Sequence, residues 1–198
     1  WRVGSPEQFF PFCLALKARG IACFAPDYRV SSRQGTDAID ALHDAQSAYQ
    51  WVVLKADKFG VDKSQIYVGG GSAGGHLAAA VAMIPNKSIT QAPAGMLLFN
   101  PGVDIGRSAR IQGLFRNKAV QYSPIEYVRP SLPGAWIVHG KADEVVPYST
   151  VIDFCQRMDS AGNLCELLGF DDAGHGFFNA RRPAHDEVLG ALLVHLDS

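Results

Sequence analysis

The sequence predicts a single α/β domain with a mostly parallel sheet and helices on both faces of that sheet. Short apolar runs bounded by Gly or Pro recur along the 198 residues, and such runs are typical of strands buried on both faces. Longer stretches with helical periodicity lie between them. Because strands that alternate with helices usually form parallel units, this order predicts the α/β class. A chain of this length forms one sizeable core, so we expect residues 1–198 to be one domain.

Five apolar runs are predicted to be strands, at residues 21–25, 66–68, 96–99, 135–138 and 164–168. Glu166 interrupts the last run, and the resulting alternation is typical of an edge strand. Five longer stretches are predicted to be helices, at residues 6–19, 37–58, 77–84, 148–161 and 183–196. Gly20, Gly60 and Gly162 follow three of these helices, where glycine provides a C-terminal cap. In open sheets of this kind, functional sites gather at the carboxyl ends of the strands.

The stretch 101–133 has no clear periodicity and contains several Gly and Pro residues. A small lid, a set of binding loops and a solvated connection are all compatible with that composition.

Composition excludes several classes of protein. With 47% apolar and 19% charged residues the chain is typical of a globular protein and not of a disordered one. The net charge is -1 and the longest basic block is Arg181-Arg182, so nucleic acid is not an expected partner. No run approaches the roughly 18 apolar residues of a transmembrane segment. Because residue 1 is Trp and not Met, we expect the gene product to begin upstream, and a leader peptide that has been removed is compatible with this sequence.

The four cysteines show no C-x-x-C spacing, and each lies within an apolar helix or strand pattern. They are Cys13, Cys23, Cys155 and Cys165. This placement favours buried free thiols over disulfides or a metal site. We also expect that no metal and no organic cofactor is required.

Ser72 is the candidate nucleophile. It lies in the segment Gly70-Gly71-Ser72-Ala73-Gly74, directly after the run 66–68 and directly before an Ala-rich helical stretch. A G-x-S-x-G motif in this context predicts a sharp strand-to-helix turn that exposes the serine hydroxyl. The glycines tolerate the strained backbone and leave room for the helix. Taken alone, the motif is also compatible with a glycine-rich connection that carries a surface serine.

A serine nucleophile needs a base and a group that orients the base. Asp143 follows the run 135–138, and His175 lies between two glycines after the run 164–168. The chain order Ser72, Asp143, His175, with each residue shortly after a different strand, predicts a catalytic triad. Considered separately, Asp143 could cap a helix and His175 could be a turn histidine.

Other titratable residues are weaker candidates. Glu144 and Asp172 are the alternative carboxylates, but Asp172 is so near His175 in sequence that Asp143 is favoured. His139, at the end of a strand, is expected to be a buried, hydrogen-bonded core histidine. His76, on the first turn of the helix after Ser72, either shapes the pocket or packs in the core.

Four segments resemble the α/β-hydrolase esterase and lipase family, specifically its hormone-sensitive-lipase-like and acetyl- or feruloyl-esterase-like members. They are Pro-Asp-Tyr-Arg at 26–29, Gly-Gly-Ser-Ala-Gly-Gly at 70–75, His-Gly-Lys-Ala-Asp at 139–143 followed by Val146-Pro147, and Gly-His-Gly-Phe at 174–177. They span most of the chain. The resemblance implies the α/β-hydrolase fold, the triad Ser72, Asp143 and His175, and the N–H of Ala73 as one oxyanion donor. It does not specify a substrate.

These esterases usually carry a His-Gly-Gly-Gly stretch that forms half of the oxyanion hole. The segment Trp1-Arg2-Val3-Gly4 resembles the residues that follow that stretch, and the stretch itself is not in this sequence. The resemblance also implies a central strand between the runs 21–25 and 66–68. We therefore expect residues 1–198 to be a fragment that lacks the family's N-terminal strands, or whose remainder is another chain.

The function expected from these features is hydrolysis of small-molecule carboxylic esters through an acyl-enzyme on Ser72. Short acyl groups are favoured because the stretch 101–133 is too small for a large lid. A serine peptidase or amidase of the prolyl-oligopeptidase type is one alternative. A non-catalytic interaction protein on a hydrolase scaffold is the other.

Overall fold

The computed structural model describes residues 1–106 and 109–197, with a four-stranded sheet at the centre. The strands are β1 (Val68–Gly71), β2 (Gly95–Phe99), β3 (Gly134–Gly140) and β4 (Cys165–Phe170). They lie in the order β1-β2-β3-β4, and every neighbouring pair is parallel. All four carboxyl ends therefore lie at the same edge of the sheet.

The described part of the chain contains seven α-helices. They are α1 (Phe10–Lys17), α2 (Ser31–Gln34), α3 (Ala38–Phe59), α4 (Ala73–Met83), α5 (Ala109–Gln112), α6 (Tyr148–Ser160) and α7 (His185–Leu196). The longest, α3, begins with a capping box between Asp37 and Asp40 and ends at Gly60, whose φ of 67° is left-handed.

The period-2 alternation of the strands divides the core between the two faces of the sheet. On one face, Leu98 and Ile137 pack with residues of α4 and α6. On the other, Phe99 and Trp136 pack with residues of α1 and α7. Both faces of the sheet are thus covered by helices, which confirms the predicted α/β class with a mostly parallel sheet.

The strand predicted at residues 21–25 is wrong. These residues have no regular secondary structure and no strand partner within the described residues. Ile21 and Phe24 remain 37% and 36% exposed. A groove of about 870 Å³, lined by this segment and by β1, separates the two. An apolar run becomes a strand only where a neighbour pairs with its backbone N–H and C=O groups, and here the groove lies between residues 21–25 and β1.

The prediction of free thiols is also wrong, because the cysteines form the disulfides Cys13–Cys23 and Cys155–Cys165. Left-handed Gly20 and Gly162 end the helical stretches and fold the following residues back beside α1 and α6. The Cα atoms of the paired cysteines are therefore 5.4 and 5.2 Å apart, within the range that a disulfide spans. Spacing in the sequence does not reveal this return of the chain.

The stretch 101–133 connects β2 to β3, and its residues 107 and 108 lie outside the described residues. The rest contains α5 and three 3-10 turns, at Gly113–Phe115, Ala119–Tyr122 and Pro124–Tyr127. Val103, Ile105, Phe115 and Ile125 are almost completely buried. The described part of this connection therefore packs on the core, and its role as a lid or binding loop stays a prediction.

Candidate active site

Ser72 occupies the turn between β1 and α4. Its φ of 54° and ψ of -114° are strained for a residue with a side chain, and its N–H donates to the carbonyl of Phe99 at 2.9 Å. The neighbouring glycines allow the close approach of strand and helix. A Cβ at Gly70 would lie 2.6 Å from the carbonyl carbon of Gly74, and one at Gly75 would lie 2.8 Å from Cβ of Pro101. The turn therefore presents the Ser72 hydroxyl at the carboxyl edge of the sheet.

His175 reaches this hydroxyl from the loop after β4. Its Nε2 lies 2.9 Å from Oγ of Ser72, and its Nδ1 lies 2.8 Å from Oδ2 of Asp143. Because a carboxylate only accepts hydrogen bonds, Nδ1–H donates to Asp143 and Nε2 accepts from the serine hydroxyl. The imidazole side chain is 25% exposed, so it remains accessible from solvent. This tautomer is the one that a general base next to a serine requires.

Asp143 lies in the loop between β3 and α6, and its side chain is completely buried. Its Oδ1 accepts two backbone hydrogen bonds, from Val145 N–H at 2.8 Å and from Val146 N–H at 2.9 Å. The alternative carboxylates, Glu144 and Asp172, are both exposed. The structure thus brings together the three side chains that the sequence predicted, and Asp143 is the carboxylate in contact with His175.

The N–H of Ala73, the fourth predicted site residue, belongs to the first residue of α4. The first four N–H groups of a helix have no intrahelical acceptor, and they lie at the positive end of the helix dipole. This position suits a donor to an oxyanion formed next to Ser72.

Asn100 is a site residue that the sequence analysis missed. It directly follows β2, has a left-handed φ of 37° and is completely buried. Its Nδ2 lies 3.2 Å from Nδ1 and 3.4 Å from Nε2 of His175. The only signal in the sequence is its position at the carboxyl end of a strand next to Pro101, between the strands that carry Ser72 and Asp143.

His76 and His139 are both fully buried. The Nδ1 of His76 accepts from Trp1 Nε1 at 3.2 Å, and its Nε2–H donates to the carbonyl of Tyr122 at 2.7 Å. Burial lowers the pKa of His76 to about 4, so the ring is neutral at neutral pH. His76 is a packing residue with both ring nitrogens paired.

A groove opens beside β1 and extends to Ser72. Its wall is mainly apolar and includes Phe9, Phe12, Ile21 and Tyr49. Across the residues that the structure describes, no cluster of three or more His, Cys, Asp or Glu side chains could hold a metal ion. None of the described helices is both long and apolar enough to cross a bilayer.

The parallel sheet, the strained serine turn and the Ser-His-Asp contacts together define the α/β-hydrolase class. Residues 1–127 match the α/β-hydrolase fold family, and the chain belongs to that family. Residues 103–191 also match the prolyl oligopeptidase family.

Several relatives are esterases. A structure of esterase 2 from Thermogutta terrifontis is 38% identical, with a TM-score of 0.93 over 99% of this chain and 78% of that chain. Esterase LipC from Mycobacterium tuberculosis is 29% identical over 89% of this chain and 50% of its own length. An acetylxylan esterase from Xylanibacter ruminicola is 27% identical over 89% of this chain and 39% of its own length. The chain thus spans about half or less of the length of these two curated relatives.

Proposed function

We propose that this chain carries the catalytic centre of a serine carboxylester hydrolase that acts on short-chain acyl esters. The observation that carries the proposal is the continuous hydrogen-bonded series from Ser72 Oγ through His175 to Asp143, with distances of 2.9 and 2.8 Å. A hydroxyl in contact with an oriented imidazole is the arrangement that activates a serine.

In the proposed reaction, Oγ of Ser72 attacks the ester carbonyl while Nε2 of His175 takes the hydroxyl proton. The resulting oxyanion accepts a hydrogen bond from Ala73 N–H. Collapse of the tetrahedral intermediate releases the alcohol, which receives the proton from His175, and leaves an acyl-enzyme. His175 then takes a proton from water as the water attacks this ester, and it returns that proton to Oγ of Ser72 when the second tetrahedral intermediate collapses and the carboxylic acid is released. Asp143 orients the imidazole and stabilises its protonated form throughout.

The relatives support both the ester substrate and the short acyl group. Esterase 2 of Thermogutta terrifontis has been solved with propionate and with butyrate bound, and also phosphorylated by paraoxon. One curated relative is an acetylxylan esterase. Acetyl to butyryl esters are therefore the substrates that we propose for this chain.

Paraoxon labelling tests the nucleophile. We expect mass spectrometry to find one diethylphosphoryl group on the peptide that contains Ser72, and Ser72→Ala to lower kcat for p-nitrophenyl acetate by about 10⁶-fold. Ser88→Ala, at an exposed serine, is the matched control and should retain full labelling and turnover. Turnover that survives Ser72→Ala would refute the proposal. Absence of both label and turnover would favour the non-catalytic alternative.

A series of p-nitrophenyl esters from acetate to dodecanoate tests the acyl group. We expect kcat/KM to be highest from acetate to butyrate. Faster turnover of decanoate or dodecanoate would contradict the short-chain assignment.

A peptidase or amidase is the second candidate, because residues 103–191 match the prolyl oligopeptidase family. The same triad can cleave esters and amides, so the leaving group must be tested directly. We expect turnover of a p-nitrophenyl ester and no turnover of the p-nitroanilide of the same acyl group above the level of Ser72→Ala. Cleavage of the p-nitroanilide that Ser72→Ala abolishes would favour the peptidase.

A further inference from the structure

His139 is a buried histidine for which the proposed reaction has no role. It lies one residue before the end of β3, four residues before Asp143, and its side chain has no solvent exposure. Nε2 of His139 lies 2.9 Å from the carbonyl oxygen of Val146 and 3.4 Å from Oδ2 of Asp143. Both partners only accept hydrogen bonds, so Nε2 carries the proton.

The peptide chain at 143–146 forms a closed turn around the carboxylate. Val145 N–H and Val146 N–H donate to Oδ1 of Asp143. The carbonyl of Val146 in turn accepts from His139. The ring therefore fastens the far end of the turn to β3, and Oδ2 is directed toward His175.

The second ring nitrogen shows that burying a histidine at this position costs free energy. Nδ1 of His139 is buried and has no hydrogen-bond partner in the described structure. An apolar side chain of similar volume would fill the site without an unsatisfied nitrogen. A histidine is favoured over an apolar residue here only if the hydrogen bond from its N–H to the carbonyl of Val146 has a role that packing alone cannot fulfil.

The charge state of His139 suits such a role. Burial lowers the pKa of His139, although the carbonyl of Val146 and the charge of Asp143 act in the opposite direction. The neutral ring donates a hydrogen bond without neutralising Asp143. The negative charge of the carboxylate thus remains available to His175.

We propose that His139 is a positioning residue that holds the 143–146 turn through the Val146 carbonyl and thereby keeps Oδ2 of Asp143 against His175. This inference rests on the proposed function, since it concerns the same triad. His139 touches neither substrate nor the reacting atoms, and it acts only through Asp143.

Two substitutions at His139 separate positioning from packing. His139→Leu keeps much of the volume but removes the donor, and we expect kcat for p-nitrophenyl acetate to fall about 10- to 100-fold with little change in KM. His139→Gln places an amide N–H near the position of Nε2 and should restore kcat to within about 5-fold of the wild type. His195→Leu is the control, because His195 also contacts a carboxylate, that of Glu166, at the opposite end of the sheet. It should leave kcat unchanged.

A double-mutant cycle with Asp143→Asn tests the route of the effect. If His139 acts through Asp143, His139→Leu should lower kcat by less than about 3-fold in the Asp143→Asn background. Full multiplication of the two losses would overturn the inference, as would wild-type kcat in His139→Leu.

If His139→Leu does not fold, His139→Asn takes its place, because its shorter amide cannot reach the Val146 carbonyl. Equal kcat in the Asn and Gln variants would then overturn the inference. The Ser72→Ala result bears on the proposed function alone, so failure of the function and failure of the positioning role are distinguishable.

Discussion

Two parts of this molecule are built from the same local pattern, but their last segments have different structures. The α1 unit (Phe10–Ala25) and the α6 unit (Tyr148–Phe170) each consist of a helix, a left-handed glycine and a final segment that contains an apolar run. In both, the N–H after the glycine bonds to a helix carbonyl five residues earlier, which is the Schellman arrangement. A Phe-Cys pair on each helix provides the first cysteine of a disulfide with a sequence separation of 10.

The final segments of the two units differ in what lies beside them. In the α6 unit the segment is β4, which pairs with β3 from Ala135–Cys165 to Gly140–Phe170. In the α1 unit the segment 21–25 faces the groove and has no strand partner in the described residues. The two units therefore share a helix and a turn that their local sequences favour, whereas a strand also requires a neighbour with free backbone groups.

The α6 unit, whose final segment is paired in the sheet, is also the unit that lies next to the proposed triad in the chain. Asp143 lies just before the α6 unit and His175 just after it, so the paired sheet around β3 and β4 supports both residues. None of the three residues of the proposed triad is part of the α1 unit. We therefore expect mutations in the α6 unit to lower the unfolding free energy more than matched mutations in the α1 unit.

The largest difference should come from the two matched phenylalanines. Phe154 in α6 is fully buried in the core, and its replacement by Ala should lower the unfolding free energy by about 4 kcal/mol. Phe12 in α1 is 2% exposed but lines the groove, so the site can relax and Phe12→Ala should cost only about 2 kcal/mol. Urea unfolding measures both values.

Leu14→Ala is the control for helix α1, because Leu14 is 68% exposed. Its effect should stay within about 0.5 kcal/mol. An equal or larger loss for Phe12→Ala than for Phe154→Ala would show that the α1 unit is as tightly packed as the α6 unit.

The two disulfides should show the next largest difference, in how much each contributes to the unfolding free energy. Their equal loop lengths give the same chain-entropy contribution of about 3 kcal/mol. A crosslink stabilises fully only when the native state holds both of its ends. Replacing Cys155 and Cys165 together by Ala should therefore cost about 3 kcal/mol, whereas replacing Cys13 and Cys23 should cost about half of that, because Cys23 is exposed in the unpaired segment.

Differential scanning calorimetry of the two double variants measures this difference, and the fully reduced wild type should approach the sum of both losses. A larger loss at Cys13 and Cys23 would mean that the segment 21–25 is held as firmly as β4.

The last effect, smaller than those expected for Phe154→Ala and for the Cys155–Cys165 replacement, concerns pH and the contact that anchors Trp1. The folded pKa of His76 is about 4, below the ordinary 6.5 of the unfolded chain. The unfolded state therefore binds a proton first, and the unfolding free energy falls as the pH drops from about 6.5 toward 4. His76 should contribute a loss of about 2 kcal/mol between pH 7 and pH 5. Burial lowers the pKa of His139 as well, which acts in the same direction.

His76→Gln removes the titration and keeps both an acceptor for Trp1 and a donor for Tyr122. Urea unfolding at pH 7 and pH 5 should then show a smaller difference for this variant than for the wild type. An unchanged difference would mean that His76 is not the group responsible.

Much of the site could be predicted because each part of it has a local signature. The Gly-rich turn around Ser72 follows from the strain that its backbone must adopt. Asp143 and His175 could be assigned from their positions just after strands, since parallel strands bring such loops to one edge. Asn100 has no comparable signature. An Asn after a strand does not indicate a functional role unless its contact with a residue such as His175 is known.

The sequence by itself determined the α/β class, the alternation that divides the core between two faces, and the order of the three candidate triad residues. Those properties depend on periodicity and on residues close together in the chain. Only the tertiary structure decided that residues 21–25 have no strand partner among the described residues, that the cysteines meet, and that His139 lies against the turn that holds Asp143. The physical reason is that pairing, crosslinking and hydrogen bonding each need a second partner, and the position of that partner is set by the packing of the whole domain.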